Sequence, residues 1–420
     1  MSNKLFRFID LFAGVGGFHI AASDLGGKCV FASEIHQGLQ DLYEANFGIK
    51  PFGDIRDIEI EKIPKHDVLF AGFPCQPFSK AGAQRGRRDV HRGRLIDNVF
   101  EIISTHRPTL IVLENVPNIL KQREGKYQND IAGDFESLGY QVKSIELSPH
   151  QLGVPQIRKR IYFVASLRPF NLDSVHCGLG EIQTDVRDIL EANPKDAKPL
   201  SATHTEAVYL WDQLLDVFRR AGNIPSHPLW AMESGATYPY RDGSVQNMRL
   251  KDLREFRGMF GKSIKCKRWE HAAEYLPPYA LNDCFPEWKQ RFIEHNRRSF
   301  KIFKGEDRKR LKLLMQYPRS LQKLEWNCKG DISSIWDHVF QLRPSGIRVR
   351  RTNAFSSLVA MTTSQVPIVG WQKRYLTPLE MARLQSIDSL KHLPSGSLAH
   401  SAFGNAVNAT VVRHILNHVI

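Results

Sequence analysis

Short apolar runs alternate with stretches of helical periodicity over the first 165 residues of this 420-residue chain. The predicted strands are 6–12, 29–33, 68–71, 110–113, 140–147 and 161–165, and the predicted helices are 18–25, 39–47 and 95–106. This alternation predicts an α/β fold, a doubly wound, mostly parallel sheet with helices on both faces. Ligands of such sheets bind beyond the carboxyl ends of the strands, so we expect functional residues directly after them.

The pattern changes in the second half of the chain. From about 177 to 346, proline, aromatic and basic residues mix without a clean period, apart from helical pieces at 207–220 and 289–300. Helical patterns return at 378–385 and 408–420. We therefore predict a catalytic and cofactor-binding domain over 1–176 and a smaller, irregular α+β domain over 177–346. A return segment over 347–420 would complete the first domain.

Composition excludes several classes of protein. With 42% hydrophobic and 24% charged residues, the chain is not wholly disordered, and no run approaches the roughly 18 apolar residues of a membrane span. Six cysteines without a CxxC pair disfavour both a disulfide framework and a structural zinc site, so we expect no metal. Met1–Lys4 lead straight into a strand-like run without an apolar signal region. We expect a soluble, cytoplasmic protein with reduced thiols.

Positive charge is concentrated in one part of the chain. The formal net charge is +14, and residues 241–351 contain 26 basic against 13 acidic residues, whereas the rest is almost balanced. An excess confined to one domain predicts a polyanionic partner for that domain. A solvated basic surface without a partner is the alternative.

A glycine-rich turn, DLFAGVGGF over 10–18, follows the first predicted strand. Its glycines would let the backbone approach a ligand, and Glu34, after the second strand, could accept hydrogen bonds from two ribose hydroxyls. The turn fits a nicotinamide cofactor, a flavin or S-adenosylmethionine, although G-x-G-x-x-G is not met. Asp54, after the next strand position, could accept a hydrogen bond from an adenine amino group. Tight turns without a ligand are the alternative for both segments.

A cysteine flanked by prolines, Cys75, lies in GFPCQPFS directly after the third predicted strand. A stiff loop at the ligand edge can present a reactive thiol if nearby positive charge lowers its pKa. Five arginines and three glycines follow over 82–94, which indicates a basic loop able to close over an anionic substrate. A buried, inert cysteine is the alternative reading.

Two further groups of polar residues adjoin predicted strands. Glu114 ends the fourth strand, where partial desolvation would raise its pKa and let the neutral acid donate a proton to a ring nitrogen. Gln156, Arg158 and Arg160 alternate in an extended segment and would share one face, which suits a phosphate or a carbonyl oxygen. A capping or ion-paired glutamate and a solvated basic edge are the alternatives.

These motifs together strongly resemble the C5-cytosine DNA methyltransferases. The strings DLFAGVGGF, GFPCQPFS, ENV, QIRKR, RYLTPLEMARLQ and FGNAV occur in that family's order, at both ends of the chain. The resemblance implies that Cys75 is the nucleophile toward C6 of a flipped-out cytosine, Glu114 the acid at N3 and Arg158 a guanidinium beside the base carbonyl. Arg160 and Asn115 would support them. It also implies an S-adenosylmethionine pocket formed by Phe12, Gly14, Val15, Gly17, Glu34, Ile35, Asp54, Ile55, Pro74, Leu95 and Asn405.

The resemblance also implies partners. The gap between the matched ends would be a target-recognition domain for double-stranded DNA, and it contains the basic segment found from charge alone. We expect a monomer that acts as the protective methylase of a restriction–modification system, with a possible cognate endonuclease sharing its site. Ala406 departs from the family, which usually has a hydroxyl residue there, and this bears on cofactor affinity. Transfer RNA methylation, a dinucleotide-dependent oxidoreductase and a catalytically silent DNA-binding regulator are the rival hypotheses.

Overall fold

The computed structural model describes residues 5–74, 95–120, 126–176, 179, 182–222, 224–241, 245–281, 285–360 and 365–420. These residues form two compact units. Unit 1 comprises the described parts of Met1–Lys195, Asn353–Thr363 and Thr377–Ile420, and unit 2 those of Asp196–Thr352 and Ser364–Leu376. The units divide near 195 and 353, whereas the predicted recognition domain begins at 177 and ends at 346; that functional division stays a prediction.

A six-stranded sheet forms the centre of unit 1. Its strands and the helices between them are β1 (Phe6–Leu11), α1 (Gly17–Ser23), β2 (Gly27–Ser33), α2 (Gln37–Phe47), β3 (Val68–Gly72), α3 (Leu95–His106), β4 (Leu110–Asn115), α4 (Lys126–Ser137), β5 (Gln141–Leu147), β6 (Gln156–Ile157), β7 (Arg160–Ser166) and α5 (Asp173–His176). The strand order is β2-β1-β3-β4-β7-β5, and β6 lies outside this sheet.

The pairing of these strands confirms the predicted α/β architecture. β2, β1, β3 and β4 are parallel, whereas β7 runs antiparallel to both β4 and β5. β4 is buried along its whole length, as expected of a strand covered on both faces. In the sheet, β2 lies on one side of β1 and β3 lies on the other, so the direction of winding reverses at β1. The carboxyl ends of β1 and β3 therefore flank the topological switch point, where ligands of such sheets bind.

Unit 2 contains a second six-stranded sheet that the sequence patterns did not reveal. Its elements, in chain order, are α6 (Ala202–Arg220), β8 (Leu229–Trp230), α7 (Leu250–Leu253), α8 (Glu287–Ser299), α9 (Gly305–Leu313), β9 (Lys323–Asn327), β10 (Val339–Arg343) and β11 (Gly346–Arg350), followed after the unit 1 strand β12 (Phe355–Ser356) by β13 (Ile368–Val369) and β14 (Arg374–Tyr375). The strand order is β14-β13-β10-β11-β9-β8.

The chain then returns to unit 1. β12 pairs in parallel with β6, and the helices α10 (Pro378–Leu384), α11 (Gly396–Asn405) and α12 (Ala409–Val419) follow. α10 begins at a capping box in which the Thr377 hydroxyl accepts from the Glu380 backbone N–H. None of the helices in the described ranges has the length and apolar character needed to cross a membrane.

Candidate active site

The glycine turn joins the ends of β1 and β2 through a carboxylate. Phe12 and Gly14 have φ of 57° and 55°, so the backbone turns sharply at the sheet edge. Gly14 N donates to Glu34 Oε2 at 2.9 Å, and His36 N donates to Glu34 Oε1 at 2.9 Å. Each carboxylate oxygen can accept more than one hydrogen bond. Glu34 is thus fixed at the edge of the sheet with acceptor capacity to spare.

The return segment closes against this turn. A Cβ on Gly17 would lie 2.2 Å from the Val407 carbonyl oxygen, so only glycine allows the first turn of α1 to approach this backbone. Gly72, at the end of β3, also faces Val407, because a Cβ there would lie 3.3 Å from Val407 Cγ2. The same Cβ would lie 3.9 Å from Glu114 Oε2. The ends of β3 and β4, the glycine turn and the segment after α11 therefore meet at one place.

Glu114 lies at this meeting point and is buried. Its Oε1 is 2.9 Å from Arg160 Nε in an ion pair, and its neighbour across the β4–β7 ladder is Tyr162. Burial raises the pKa of Glu114, and the nearby guanidiniums of Arg160 and Arg158 offset only part of that rise. The predicted neutral acid at the end of the fourth strand is consistent with this geometry.

Arg158 occupies a different environment from the one predicted. It is 2% exposed. Its Nη1 donates to the Leu358 carbonyl at 2.9 Å and the Ser357 hydroxyl at 3.0 Å, and its Nη2 donates to the carbonyls of Gly404 at 3.0 Å and Ala406 at 2.9 Å. Both terminal nitrogens thus hold chain segments of unit 1 together. The placement of Arg158 beside the base carbonyl stays a prediction, and in this structure those donors already have backbone and hydroxyl acceptors.

Asn115 continues β4 beyond Glu114 and is also buried. Its Oδ1 accepts from Val116 N at 2.8 Å, and its Nδ2 donates to the Phe73 carbonyl at 3.4 Å, which links the ends of β4 and β3. Pro74, next in the chain, is exposed at that edge. The predicted nucleophile, Cys75, and the arginine loop over 82–94 lie outside the described residues.

The remaining predicted cofactor residues separate into two groups. Ile35 is 68% exposed, Leu95 is half-buried and Asn405 is exposed at the end of α11, so these side chains are accessible. Val15 and Ile55 are buried, and the Ile55 side chain packs in the hydrophobic core. Side chains in that position cannot line an open pocket, so any contact by Val15 or Ile55 must come from the backbone.

Asp54 is engaged by its own chain in this structure. Its carboxylate accepts from the Arg56 backbone N–H at 2.9 Å and forms an ion pair with the Arg56 guanidinium. The hydrogen bond and charge of Arg56 lower the pKa of Asp54. Because the Arg56 side chain is 46% exposed, it is free to rotate away when another donor approaches Asp54.

A buried polar cluster beneath the turn was missed by the sequence reasoning. The Tyr43 hydroxyl lies 2.7 Å from His19 Nδ1 and donates to Asp10 Oδ2 at 3.4 Å. Burial raises the pKa of Asp10 well above its usual value and lowers that of His19 to about 4. Both shifts favour the neutral form of the buried group, which lowers the cost of placing these polar side chains in the core beside α1 and α2. The signal was present, because Asp10 and His19 bracket the glycine string.

The edge around the turn fits an adenosine-containing cofactor. Glu34 supplies acceptors for ribose hydroxyls, and Phe12 and Ile35 supply partly exposed apolar surface for an adenine ring. A Cβ on Gly14 would have only the Phe12 carbonyl within 4 Å, so the turn faces open space. Among the described residues, no group of His, Cys, Asp or Glu is arranged to hold a metal ion.

The fold and this site define an α/β protein with a buried acid at the ligand-binding edge of its parallel strands. The profile of the family described as C-5 cytosine-specific DNA methylase matches residues 6–420, so the chain belongs to that family and is a DNA cytosine-5 methyltransferase. The family's reaction depends on S-adenosylmethionine and its substrate is DNA.

Named relatives agree with the family assignment. The Type II methyltransferase M.AluI of Cellulosimicrobium cellulans is 31% identical and aligns over 99% of this chain and 92% of its own length. The Type II methyltransferase M.MspI of Moraxella sp is 39% identical over 45% of each chain. The crystal structure of S. pombe Dnmt2 methyltransferase covers 98% of this chain and 97% of its own with a TM-score of 0.50 and 16% identity, which supports the fold.

Proposed function

We propose that this chain transfers a methyl group to C5 of a flipped-out cytosine in a specific duplex DNA sequence, through a covalent bond between Cys75 and C6. The observation that carries the proposal is the position of Glu114. This buried carboxyl, with a raised pKa, lies beside Gly72 at the end of β3, three residues before Cys75. An acid and a nucleophile from adjacent strand ends can thus reach one base.

The chemistry requires both groups. C5 of cytosine is a poor nucleophile because the ring is electron-poor. Addition of the Cys75 thiolate to C6, with a proton from Glu114 onto N3, converts the ring to an enamine whose C5 is nucleophilic. When bound, S-adenosylmethionine supplies the methyl group from a sulfonium. Loss of the C5 proton then restores the double bond and expels the thiolate. A stacked base cannot be approached in this way, so the cytosine must leave the helix at a cost of roughly a few kcal/mol.

We assign the guanidinium next to the base to Arg160 rather than to Arg158. Arg160 forms its ion pair with Glu114 through Nε and donates to the Lys159 carbonyl through Nη1 at 2.8 Å, so Nη2 can extend toward a base carbonyl. The same contact keeps Glu114 oriented. In this proposal Arg158 is a structural residue, and Asn115 positions the loop that carries Cys75 through its bond to the Phe73 carbonyl.

We further propose how the cofactor is held. Glu34 would accept hydrogen bonds from the ribose, and Phe12 and Ile35 would contact the adenine ring. Asp54 would accept from the adenine amino group once Arg56 moves aside. Gly14, Gly17, Val15 and Ile55 would contribute backbone, whereas Pro74, Leu95 and Asn405 would border the pocket. The support is the exposure or partial exposure of the side chains of Phe12, Glu34, Ile35, Asp54, Pro74, Leu95 and Asn405.

The biological setting is also part of the proposal. Relatives named Type II methyltransferases support a role as the protective methylase of a restriction–modification system, with a cognate endonuclease acting at the same sequence. We propose that 177–346 recognises the target, because most of the basic segment 241–351 falls inside it. A monomeric cytoplasmic enzyme is the simplest form of such an activity.

The decisive experiment traps the covalent intermediate. Genomic bisulfite sequencing of cells that express the protein identifies the target site, and a duplex with 5-fluorocytosine at that site is then incubated with protein and S-adenosylmethionine. We expect a denaturation-resistant adduct, because fluorine cannot leave as a proton does. The Cys75→Ser variant should form no adduct while still binding the duplex. Absence of an adduct with the unaltered protein would refute covalent addition, and methylation of transfer RNA alone would refute the DNA substrate.

A further inference from the structure

A cavity of about 290 Å³ opens within unit 2, and none of its lining residues is assigned to the reaction. It is lined by Met232, Pro278, Tyr279, Arg319 and Lys323. Lys323 begins β9 and lies directly opposite Trp230 of β8 in the antiparallel pair. The cavity is therefore built on the edge of the second sheet, where the position of Lys323 is fixed by strand pairing.

Two cationic side chains, Arg319 and Lys323, line this cavity, and a third, Lys289, lies near the Tyr279 ring. Lys323 is half-buried, and its pKa is lowered by burial first and then by the charges of Arg319 and Lys289. In the described part of the chain, no ion pair with a carboxylate is formed by any of these three residues. Mutual repulsion without a counter-charge is unfavourable, so this arrangement is suited to a bound anion.

Aromatic rings form the rest of the surroundings. The Trp230 and Tyr279 ring centroids are 4.9 Å apart, and Lys323 Nζ lies 5.8 Å from the Trp230 centroid. Lys289 Nζ lies 5.8 Å from the Tyr279 ring and 5.4 Å from that of Trp288, which is half exposed. Cations interleaved with flat aromatic surface suit a phosphate that carries a sugar and a base.

The nearby acid Glu233 does not neutralise these cations. It is fully buried and accepts hydrogen bonds from the Tyr279 hydroxyl at 2.6 Å and from the Tyr238 hydroxyl. Its second oxygen accepts from Arg297 Nε at 2.9 Å, in an ion pair. Glu233 thus holds the Tyr279 ring in place, and its negative charge is compensated by Arg297.

We propose that this cavity, with Lys323, Arg319 and Lys289 at its rim, binds a backbone phosphate of the DNA substrate together with its deoxyribose. The inference rests on the proposed function, since it assumes that unit 2 contacts duplex DNA. It adds a specific anchoring site to a surface that was otherwise predicted only from net charge. A phosphate contact carries no sequence information, so the site sets affinity and register rather than target choice.

The test compares charge-neutralising variants in the full-length protein. Binding of a target duplex and an unrelated duplex is measured between 0.05 and 0.3 M salt, about the range over which counterion release is resolved. We expect Lys323→Gln and Arg319→Gln each to reduce the slope of log affinity against log salt by about 1, and to weaken binding about fivefold near 0.15 M salt. Both duplexes should be affected alike. Lys323→Arg, which keeps the charge, should retain the slope of the unaltered protein.

A matched control uses another lysine of unit 2. Lys309 is exposed and paired with Glu306, so Lys309→Gln removes the same charge from a site with a counter-ion. The salt slope of Lys309→Gln should change by less than half as much as that of Lys323→Gln. The proposal would be overturned if Lys309→Gln and Lys323→Gln changed the salt slope equally. It would also be overturned if Lys323→Gln and Arg319→Gln both left the slope unchanged, or if they altered the binding of RNA but not of DNA. If the unaltered protein methylates DNA while the variants bind normally, only this site is refuted; if it neither binds nor methylates DNA, the proposed function fails as well.

Discussion

Arg160 Nε lies 2.9 Å from Glu114 Oε1, and both side chains are largely shielded from solvent. The pairing joins the end of β4 to the start of β7, which run antiparallel at the centre of the unit 1 sheet. A carboxyl that is buried yet held by a single guanidinium contact can keep a proton and still be oriented. This one contact therefore links the architecture of the sheet to the acid step of the proposed reaction.

The pH dependence of methyl transfer should follow Glu114. Because burial raises its pKa, the protonated form persists to higher pH than for an exposed glutamate, and the rate should fall as the pH rises through that raised pKa. Glu114→Gln should lose about 100- to 10,000-fold in rate and show no such decline. Tritium transfer from labelled S-adenosylmethionine, measured across pH, checks both outcomes. An unchanged profile in the variant would exclude Glu114 as the acid.

The two arginines of QIRKR should have separable effects. Arg158→Gln removes donors to Leu358, Gly404 and Ala406, and leaving these groups without their charged partner should destabilise unit 1 by about 3 kcal/mol or more. Arg160→Gln should instead lower methyl transfer at least about tenfold, with a much smaller shift of the thermal midpoint. Arg158→Lys should not restore stability, because an ammonium cannot reproduce the guanidinium fork. The reverse pattern of stability and activity would contradict this division of roles.

Substitution of Gly17 should loosen the return segment. An added Cβ would collide with the Val407 carbonyl oxygen, so we expect Gly17→Ala to cost about 2–3 kcal/mol of stability and to weaken cofactor binding. Gly133→Ala is the control, since beyond the local backbone of α4 no described residue has an atom within 4 Å of the added Cβ. The free energy of unfolding of Gly133→Ala should be about 0.5–1 kcal/mol higher than that of the unaltered protein, because alanine has the higher helix propensity. Thermal unfolding of both variants measures the contrast, and equal midpoints would show that the close contact is absent.

Cofactor affinity should depend on Glu34. Glu34→Gln replaces one acceptor oxygen by an NH₂ group, which cannot accept from Gly14 N or from a ribose hydroxyl, so we expect the Kd for S-adenosylmethionine to rise about tenfold. Glu44→Gln, an exposed change on α2, should leave the Kd unchanged. Isothermal titration calorimetry supplies the measurement, with unfolding of the ligand-free proteins as a check on the turn. Equal Kd values for the unaltered protein and Glu34→Gln would show that Glu34 does not bind the ribose.

Local sequence patterns were sufficient for most of unit 1. The helix predicted at 95–106 is α3, and the predicted strands in the first half correspond to β1, β2, β3, β4, β5 and β7 within a few residues. The direction of β7 was not predictable, because an apolar run is the same in a parallel and an antiparallel strand. The sheet of unit 2 was missed since its strands are two to five residues long and β8 and β14 lie far apart in sequence.

The site was predictable where a residue adjoins a strong strand and not where it depends on distant contacts. Glu34 follows β2, and Glu114 is the last residue but one of the buried strand β4; both lie at the predicted edge. Arg158 and Arg160 were expected on one face, but the partners of Arg158 come from residues 357, 358, 404 and 406, far along the chain, and no local pattern indicates them. Val407 lies in the FGNAV string, but the string gave no indication of its contacts, because these are made with Gly17 and Gly72, far from it in the chain.

The contacts made by Gly404, Ala406 and Val407 also bear on how the protein is made. When translation has reached the end of α10, all strands of the unit 1 sheet have been synthesised. The Gly404 and Ala406 carbonyls, which accept hydrogen bonds from Arg158, have not. The nascent chain therefore carries an arginine with half of these acceptors missing until residues 404 and 406 have been synthesised. A chain truncated before α11 should leave the Arg158 guanidinium without these partners, although every strand of the unit 1 sheet is present.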